Sequence, residues 1–158
     1  MAREILFDLT PIDLEKVAHG PDEVRAVNPH RHEMQLIDGV IFIDVPGGRA
    51  VGLKDVRDDE FWVRGHFPDR PLFPGALIVE SMAQLCYFFY RKRFAEDNRI
   101  LGFSGLDGVR FRGAVKPGNR LLLLMEAKEL RRRRAIFRTQ AIVGEKIVFE
   151  GTIIGMPI

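Results

Sequence analysis

From Gly65 to Gln84 the chain reads GHFPDRPLFPGALIVESMAQ, a proline-fixed loop running into an apolar helix. Pro68, Pro71 and Pro74 each hold their own φ near about −65°, so the loop has few conformations to lose on folding. Pro74 suits the first helical position, where its missing N–H would have no partner anyway. Phe73 before it has no side-chain oxygen to act as a cap, which leaves the amides of Gly75, Ala76 and Leu77 without an obvious local acceptor. Gly75 has no Cβ, so another group can approach those amides closely. From Ala76 to Tyr90 the helix is apolar on nearly every side, the pattern of a buried helix. Glu80 and Gln84 interrupt it one turn apart on one face. A carboxylate in such surroundings is costly unless it is paired, and burial presses its pKa upward.

A helix that is apolar all round needs a sheet to wrap it, and the flanking residues supply strands. Gln35–Val45 and Arg49–Val56 read as a hairpin around the turn Pro46-Gly47-Gly48. After the helix, Ile100–Arg112 (broken by glycines), Leu121–Leu130, Ala135–Val143 and Lys146–Ile154 read as four strands in meander-like succession. Leu121–Leu130 is nearly continuous in apolar residues, as a central strand covered on both faces would be. Upstream, Thr10-Pro11-Ile12-Asp13 has a Thr cap, Pro at the first helical position and an acid two residues on, which predicts a short helix ending at Gly20. Residues 20–29 read as a loop. Asp58-Asp59-Glu60 reads as a solvated loop. The expected class is α+β: one strongly curved antiparallel sheet around a central helix. Residues 1–158 form one domain in this reading, with 1–27 an N-terminal extension carrying the short helix.

At 158 residues the chain is long enough to bury a core, and 46% hydrophobic with 29% charged is ordinary globular composition. A net charge of +2 implies no nucleic-acid partner by itself. Arg131–Arg134 does not make one basic patch if it lies in a strand, because alternate residues face opposite sides. It reads as a solvated strand end, or as a docking point for an acidic carrier protein. Arg91-Lys92-Arg93 suits the negative end of a helix dipole. The single cysteine, Cys86, lies on the apolar helix and reads as packing in a reducing compartment. The segment MAREILFDLT has early acids and no long apolar run, and Ala76–Tyr90 is too short to span a bilayer. The expectation is a soluble, cytoplasmic protein without a membrane span.

Two ionisable groups stand out as chemistry. His66 just before the rigid loop can take or give a proton near neutral pH. Glu80, with a raised pKa, can act as the complementary acid. The amides at Gly75 can polarise a carbonyl oxygen where charge develops. Together they suit proton abstraction beside a carbonyl followed by loss of a β-substituent. Taken singly, His66 in a His-Phe-Pro loop and Glu80 in a core have bland structural readings. Gln84 either orients the Glu80 carboxyl or satisfies itself against backbone. His30 and His32, flanking Arg31, lack the pattern of a metal site.

Three segments resemble one family. Asn28-Pro29-His30-Arg31, GHFPDRPLFPGALIVESMAQ and GFSGLDGVRFRGAVKPGNRL (residues 102–121) match, in order and spacing, the 3-hydroxyacyl-[acyl-carrier-protein] dehydratases of the FabZ and FabA type. The resemblance implies a hot-dog fold and removal of water from a (3R)-hydroxyacyl thioester, giving the trans-2-enoyl thioester, in fatty acid synthesis. It implies His66 as the catalytic histidine, Glu80 as the catalytic acid and Gly75 N–H as donor to the thioester carbonyl. Gln84 is implied as the glutamine that contacts the acid. It implies no metal and no cofactor. The partners it implies are acyl carrier protein and further copies of the chain, as a homodimer or a hexamer built as a trimer of dimers, with His66 of one chain facing Glu80 of the other. His32-Glu33-Met34 departs from the family pattern, which bears on acyl chain length, and Asp69 stands near the catalytic loop where glycine is common in the family. The N-terminal extension is also longer than is usual in the family.

Two other readings share the scaffold. A hot-dog acyl thioesterase would need an acid placed to activate water at the carbonyl carbon. A non-catalytic acyl-thioester-binding protein would tolerate loss of His66 or Glu80, and both are present. A DNA-binding sensor would need more than a short N-terminal helix.

Overall fold

The computed structural model describes residues 3–158. Helix α2, Gly75–Arg93, is the axis of the molecule. Ile78, Met82, Leu85, Phe88 and Phe89 are buried around its circumference. They pack against inward-facing residues of a six-stranded antiparallel sheet, among them Leu121, Leu123, Met125, Phe137 and Phe149. The strands are β1 (Gly39–Asp44), β2 (Arg49–Asp55), β3 (Leu101–Phe111), β4 (Arg120–Arg131), β5 (Arg134–Val143) and β6 (Lys146–Pro157). The layout is the antiparallel sheet around a central helix expected from the apolar helix, and it is the hot-dog fold that the family resemblance implies. No helix of the described residues is long and apolar enough to cross a membrane.

The strand order is β1-β2-β4-β5-β6-β3. The meander expectation therefore holds for β4-β5-β6 only: β3 crosses to the far edge and pairs with β6. The side-chain pattern explains the swap. β4 is apolar on both sides and belongs at the centre, where β2 and β5 flank it. β3 is broken by glycines and carries exposed Phe103, Leu106 and Phe111, so it tolerates an edge.

Along β4, Leu121, Leu123 and Met125 face α2. Leu122 and Leu124 face outward, into a second cluster with Phe7, Val51, Leu53 and Ile142. Leu6, Leu9, Ile12 and Leu14 pack on that cluster, so the N-terminal segment is a strap over the outer sheet face. Gln140 of β5 pins it: its Oε1 accepts from Leu6 N–H at 2.7 Å and its Nε2 donates to Glu4 C=O at 3.2 Å.

The strap overturns the helix expected from Thr10 to Gly20. Those residues form turns, with the Asp8 and Asp13 carboxylates accepting from the Thr10 and Glu15 N–H groups. His19 then bridges to Val40 of β1. The apolar side chains do better on the sheet than along one helical stripe. The helix lies instead at Pro21–Val27 (α1), inside the stretch read as a loop. Its signals were present: Pro at the start, Asp22 and Glu23 in the first turn, and Val24 turned into the core. Residues 35–38 also fall outside β1, because Leu36 and Ile37 are plugged into the interior rather than laddered.

Candidate active site

The loop before α2 is closed on itself. Phe67 and Arg70 exchange backbone hydrogen bonds at 3.1 and 3.0 Å, and Leu72 N–H donates to His66 C=O at 2.8 Å. The His66–Phe67 peptide is cis. Phe73 N–H donates to Val115 C=O at 2.7 Å, which fastens the loop to the segment after β3. His66 Nδ1 lies 2.8 Å from Leu72 C=O. A carbonyl only accepts, so Nδ1 carries a hydrogen, and Nε2 is the nitrogen that holds the lone pair in the neutral ring. The imidazole stacks on Phe67 with centroids 4.2 Å apart and is half-buried.

The helix start behaves much as the proline and glycine suggested. Pro74 supplies no side-chain cap. Leu77 and Ile78 N–H both donate to Pro74 C=O, at 2.9 and 3.1 Å, which corrects the expectation that the Leu77 amide is free. The Gly75 and Ala76 amides have no acceptor among the described residues. A Cβ on Gly75 would come within 2.8 Å of Phe111 Cε1, so the Phe111 ring packs where a side chain would stand and only glycine fits there.

Glu80 lies about 7.5 Å further along the axis, five residues at 1.5 Å each. It stands beside Gln84 and His30. Gln84 Nε2 donates to Glu80 Oε1 at 3.0 Å, and His30 Nε2 lies 3.3 Å from the same oxygen. Gln84 takes both roles weighed for it. Besides holding the carboxylate, it donates to Met34 C=O at 2.7 Å and accepts from Leu36 N–H at 3.0 Å. Burial pushes the Glu80 carboxyl up, but the hydrogen bonds from His30 and Gln84 outweigh it and hold the pKa below the usual value of 4.5. The expected upward shift is therefore reversed within a single chain, where Glu80 is an anion at neutral pH.

In sequence, His30 has no site role beyond its place in the Asn28-Pro29-His30-Arg31 motif. Spacing alone does not connect it to Glu80, since fifty residues separate them. Its place depends on a small scaffold. Asn28 Nδ2 donates to Gln84 C=O at 3.0 Å, and Arg31 donates to the carbonyls of Asn28 and His30 at 2.8 and 2.7 Å. Tyr87 packs edge-on against the His30 ring. Burial raises the Cys86 thiol well above its ordinary pKa, as befits a packed core thiol.

The loop Asp58-Asp59-Glu60 is also only partly as expected. The Glu60 side chain is only 6% exposed and is paired with Lys54 of β2.

His66 and Glu80 form no ion pair or hydrogen bond with each other within one chain. Two cavities of about 700 and 630 Å³ open beside the 112–119 segment, the second along Arg70, Pro71 and Leu72. Neither is lined by His66 or Glu80. Among the described residues, no group of three or more His, Cys, Asp or Glu side chains is arranged to hold a metal ion.

Residues 28–152 match the family described as FabA-like domain. The chain is 38% identical over 132 residues to the 3-hydroxyacyl-[acyl-carrier-protein] dehydratase FabZ of Clostridioides difficile (strain 630), covering 84% of this chain and 92% of that protein. It is 36% identical over 128 residues to FabZ of Variovorax paradoxus (strain S110), covering 79% and 85%. Among solved structures, the dehydratase heterocomplex ApeI:P from Xenorhabdus doucetiae superposes with a TM-score of 0.73 at 21% identity, over 85% of this chain and 90% of that one.

Proposed function

The chain belongs to the FabA-like family, and from that premise we propose that it is a 3-hydroxyacyl-[acyl-carrier-protein] dehydratase of fatty acid synthesis with His66 and Glu80 as its catalytic pair. The observation that carries the assignment of roles is the single-donor geometry of His66. Its Nδ1–H is committed to Leu72 C=O, so Nε2 is free to take a proton.

The substrate is a 3-hydroxyacyl thioester on acyl carrier protein. His66 Nε2 removes the α-proton as the thioester carbonyl oxygen accepts from Gly75 N–H, which steadies the developing enolate. The C3–O bond then breaks as the C2–C3 double bond forms. The departing hydroxyl leaves as water, its proton passed from the His66 imidazolium through Glu80, directly or by way of a water. An anionic Glu80 suits this relay, since it must accept a proton before giving it up. Gln84 and His30 keep its carboxylate in place.

The separation of His66 from Glu80 in one chain supports a site completed by a second copy, each chain lending one group. Strand β3 is the edge open for that copy: it is eleven residues long, pairs on one side only, and exposes Phe103 and Leu106. The folded chain also brings Arg132 to the end of α2, over Phe94, beside Arg93. That gathers the two basic runs into one cationic end, suited to an acidic carrier protein.

The test is enoyl-thioester absorbance on mixing the protein with a 3-hydroxyacyl carrier thioester. Wild type should turn over. His66→Ala and Glu80→Gln should lose activity while keeping the wild-type oligomer. Release of free thiol instead of enoyl product would establish a thioesterase and sink the dehydratase.

A further inference from the structure

Lys54 and Glu60 form the most deeply buried ion pair among the described residues, with side chains 3% and 6% exposed. Lys54 Nζ donates to Glu60 Oε1 at 3.0 Å and stands 3.0 Å from Oε2. Glu60 takes two further donors: Arg57 N–H on Oε1 at 2.8 Å and Trp62 Nε1–H on Oε2 at 3.1 Å. Trp62 in turn holds the loop. Its C=O accepts from Gly65 N–H at 3.2 Å and from His66 N–H at 2.9 Å. Its ring packs edge-on against Phe73, 5.3 Å between centroids, and Lys54 Nζ lies 5.8 Å over that same Phe73 ring. A continuous chain of directional contacts thus runs from β2 through Glu60 and Trp62 to the backbone of His66.

A buried ion pair is a poor device for stability, because apolar residues of similar volume often do as well. What charge provides and a hydrocarbon cannot is direction: three donors converge on one carboxylate and set the indole at one angle. We propose that Lys54 and Glu60 are positioning residues for His66, holding Trp62 so that Nδ1–H stays on Leu72 C=O and Nε2 stays aimed at the substrate. The mechanistic half rests on His66 being the base. The structural half, control of the imidazole's hydrogen bond, does not.

The experiment compares wild type with Lys54→Met/Glu60→Leu, an apolar pair of similar volume, and with Glu60→Gln. Each is measured by denaturant unfolding, by turnover of a 3-hydroxyacyl carrier thioester, and by the ¹⁵N shifts of the His66 imidazole. The expected result is a double variant that unfolds cooperatively with the wild-type m-value. Its kcat should fall by about 10²-fold, the scale of a small misplacement, with KM changed by less than about threefold. Its His66 nitrogens should move from the Nδ1–H tautomer toward the averaged shifts of a free imidazole. Glu60→Gln, which keeps an acceptor for Arg57 N–H but turns an amide toward Trp62, should move in the same direction and covers the case in which the double variant does not fold. Unchanged nitrogen shifts in a folded variant overturn the proposal whatever the turnover. Shifted nitrogens with wild-type kcat would uphold the clamp on His66 and instead refute His66 as the base, an outcome that activity in His66→Ala would repeat.

Discussion

Replacing Gln84 by leucine isolates the polar core of the site. Gln84 is 1% exposed, and leucine of similar volume leaves little cavity, so the loss is one of hydrogen bonds. Three go: from Leu36 N–H at 3.0 Å, to Met34 C=O at 2.7 Å and to Glu80 Oε1 at 3.0 Å. They are not equal. Leu36 is itself 1% exposed, so its N–H is left buried without an acceptor, at a cost of about 1–3 kcal/mol. Met34 is 42% exposed, and its carbonyl can turn to water for roughly 0.5–1 kcal/mol. Glu80 keeps His30 but loses its second donor, a further loss of about 0.5–1.5 kcal/mol. The sum is about 2–5.5 kcal/mol, or roughly 4–22 °C in Tm for a chain of this size. Urea unfolding at neutral pH and fixed protein concentration measures it, since any assembly would add a concentration-dependent term. A loss below about 1 kcal/mol with the m-value unchanged would refute the reasoning, because it would mean that water reaches Leu36 N–H in the folded state.

Two further predictions concern the acid and the strap. Because the folded pKa of Glu80 is depressed, the stability from its bonds with His30 and Gln84 is fully present above the ordinary value of 4.5 and is lost as pH falls through the lower folded value. His30→Phe removes one of the two bonds, so the Glu80 carboxyl resonance in a ¹³C titration should move to higher pH; an unmoved titration would show that His30 does not set it. Phe7→Ala should lower stability by about 3 kcal/mol, the low end for a phenylalanine because the strap is thin and can settle. It should leave turnover unchanged, since the Phe7 cluster lies on the sheet face opposite α2; a large loss of kcat at wild-type fold would tie the strap to the site.

Local chemistry alone specifies a good deal of this molecule. An all-round apolar helix demands a wrapping sheet, and Leu121–Leu130 demands cover on both faces. The helix opens with the Gly75 and Ala76 amides unpaired among the described residues, because first-turn amides have no intrahelical acceptor and neither Phe73 nor Pro74 offers a capping side chain. Glu80 and Gln84 meet because residues four apart on a helix always do. The failures share a cause, which is that a residue's partner lay far away in sequence. The Thr10 motif carries sound helix signals, yet its Ile12 and Leu14 pack on the outer face of the sheet. The glycines of Ile100–Arg112 suit an edge, but that the strand crosses to β6 is decided only once β2 and β5 have flanked β4. Glu60 sits in an acidic run, and its side chain is buried because Lys54, Arg57 and Trp62 supply three donors. His30 reaches Glu80 only after Asn28 and Arg31 have folded the preceding loop onto α2. Most telling is the Glu80 carboxyl. Burial predicts an upward shift, and two hydrogen bonds reverse it. Periodicity and backbone preference are properties of neighbours along the chain, so sequence conveys them. The charge state of a buried group is a balance between desolvation and particular donors, and tertiary contact alone settles which donors arrive.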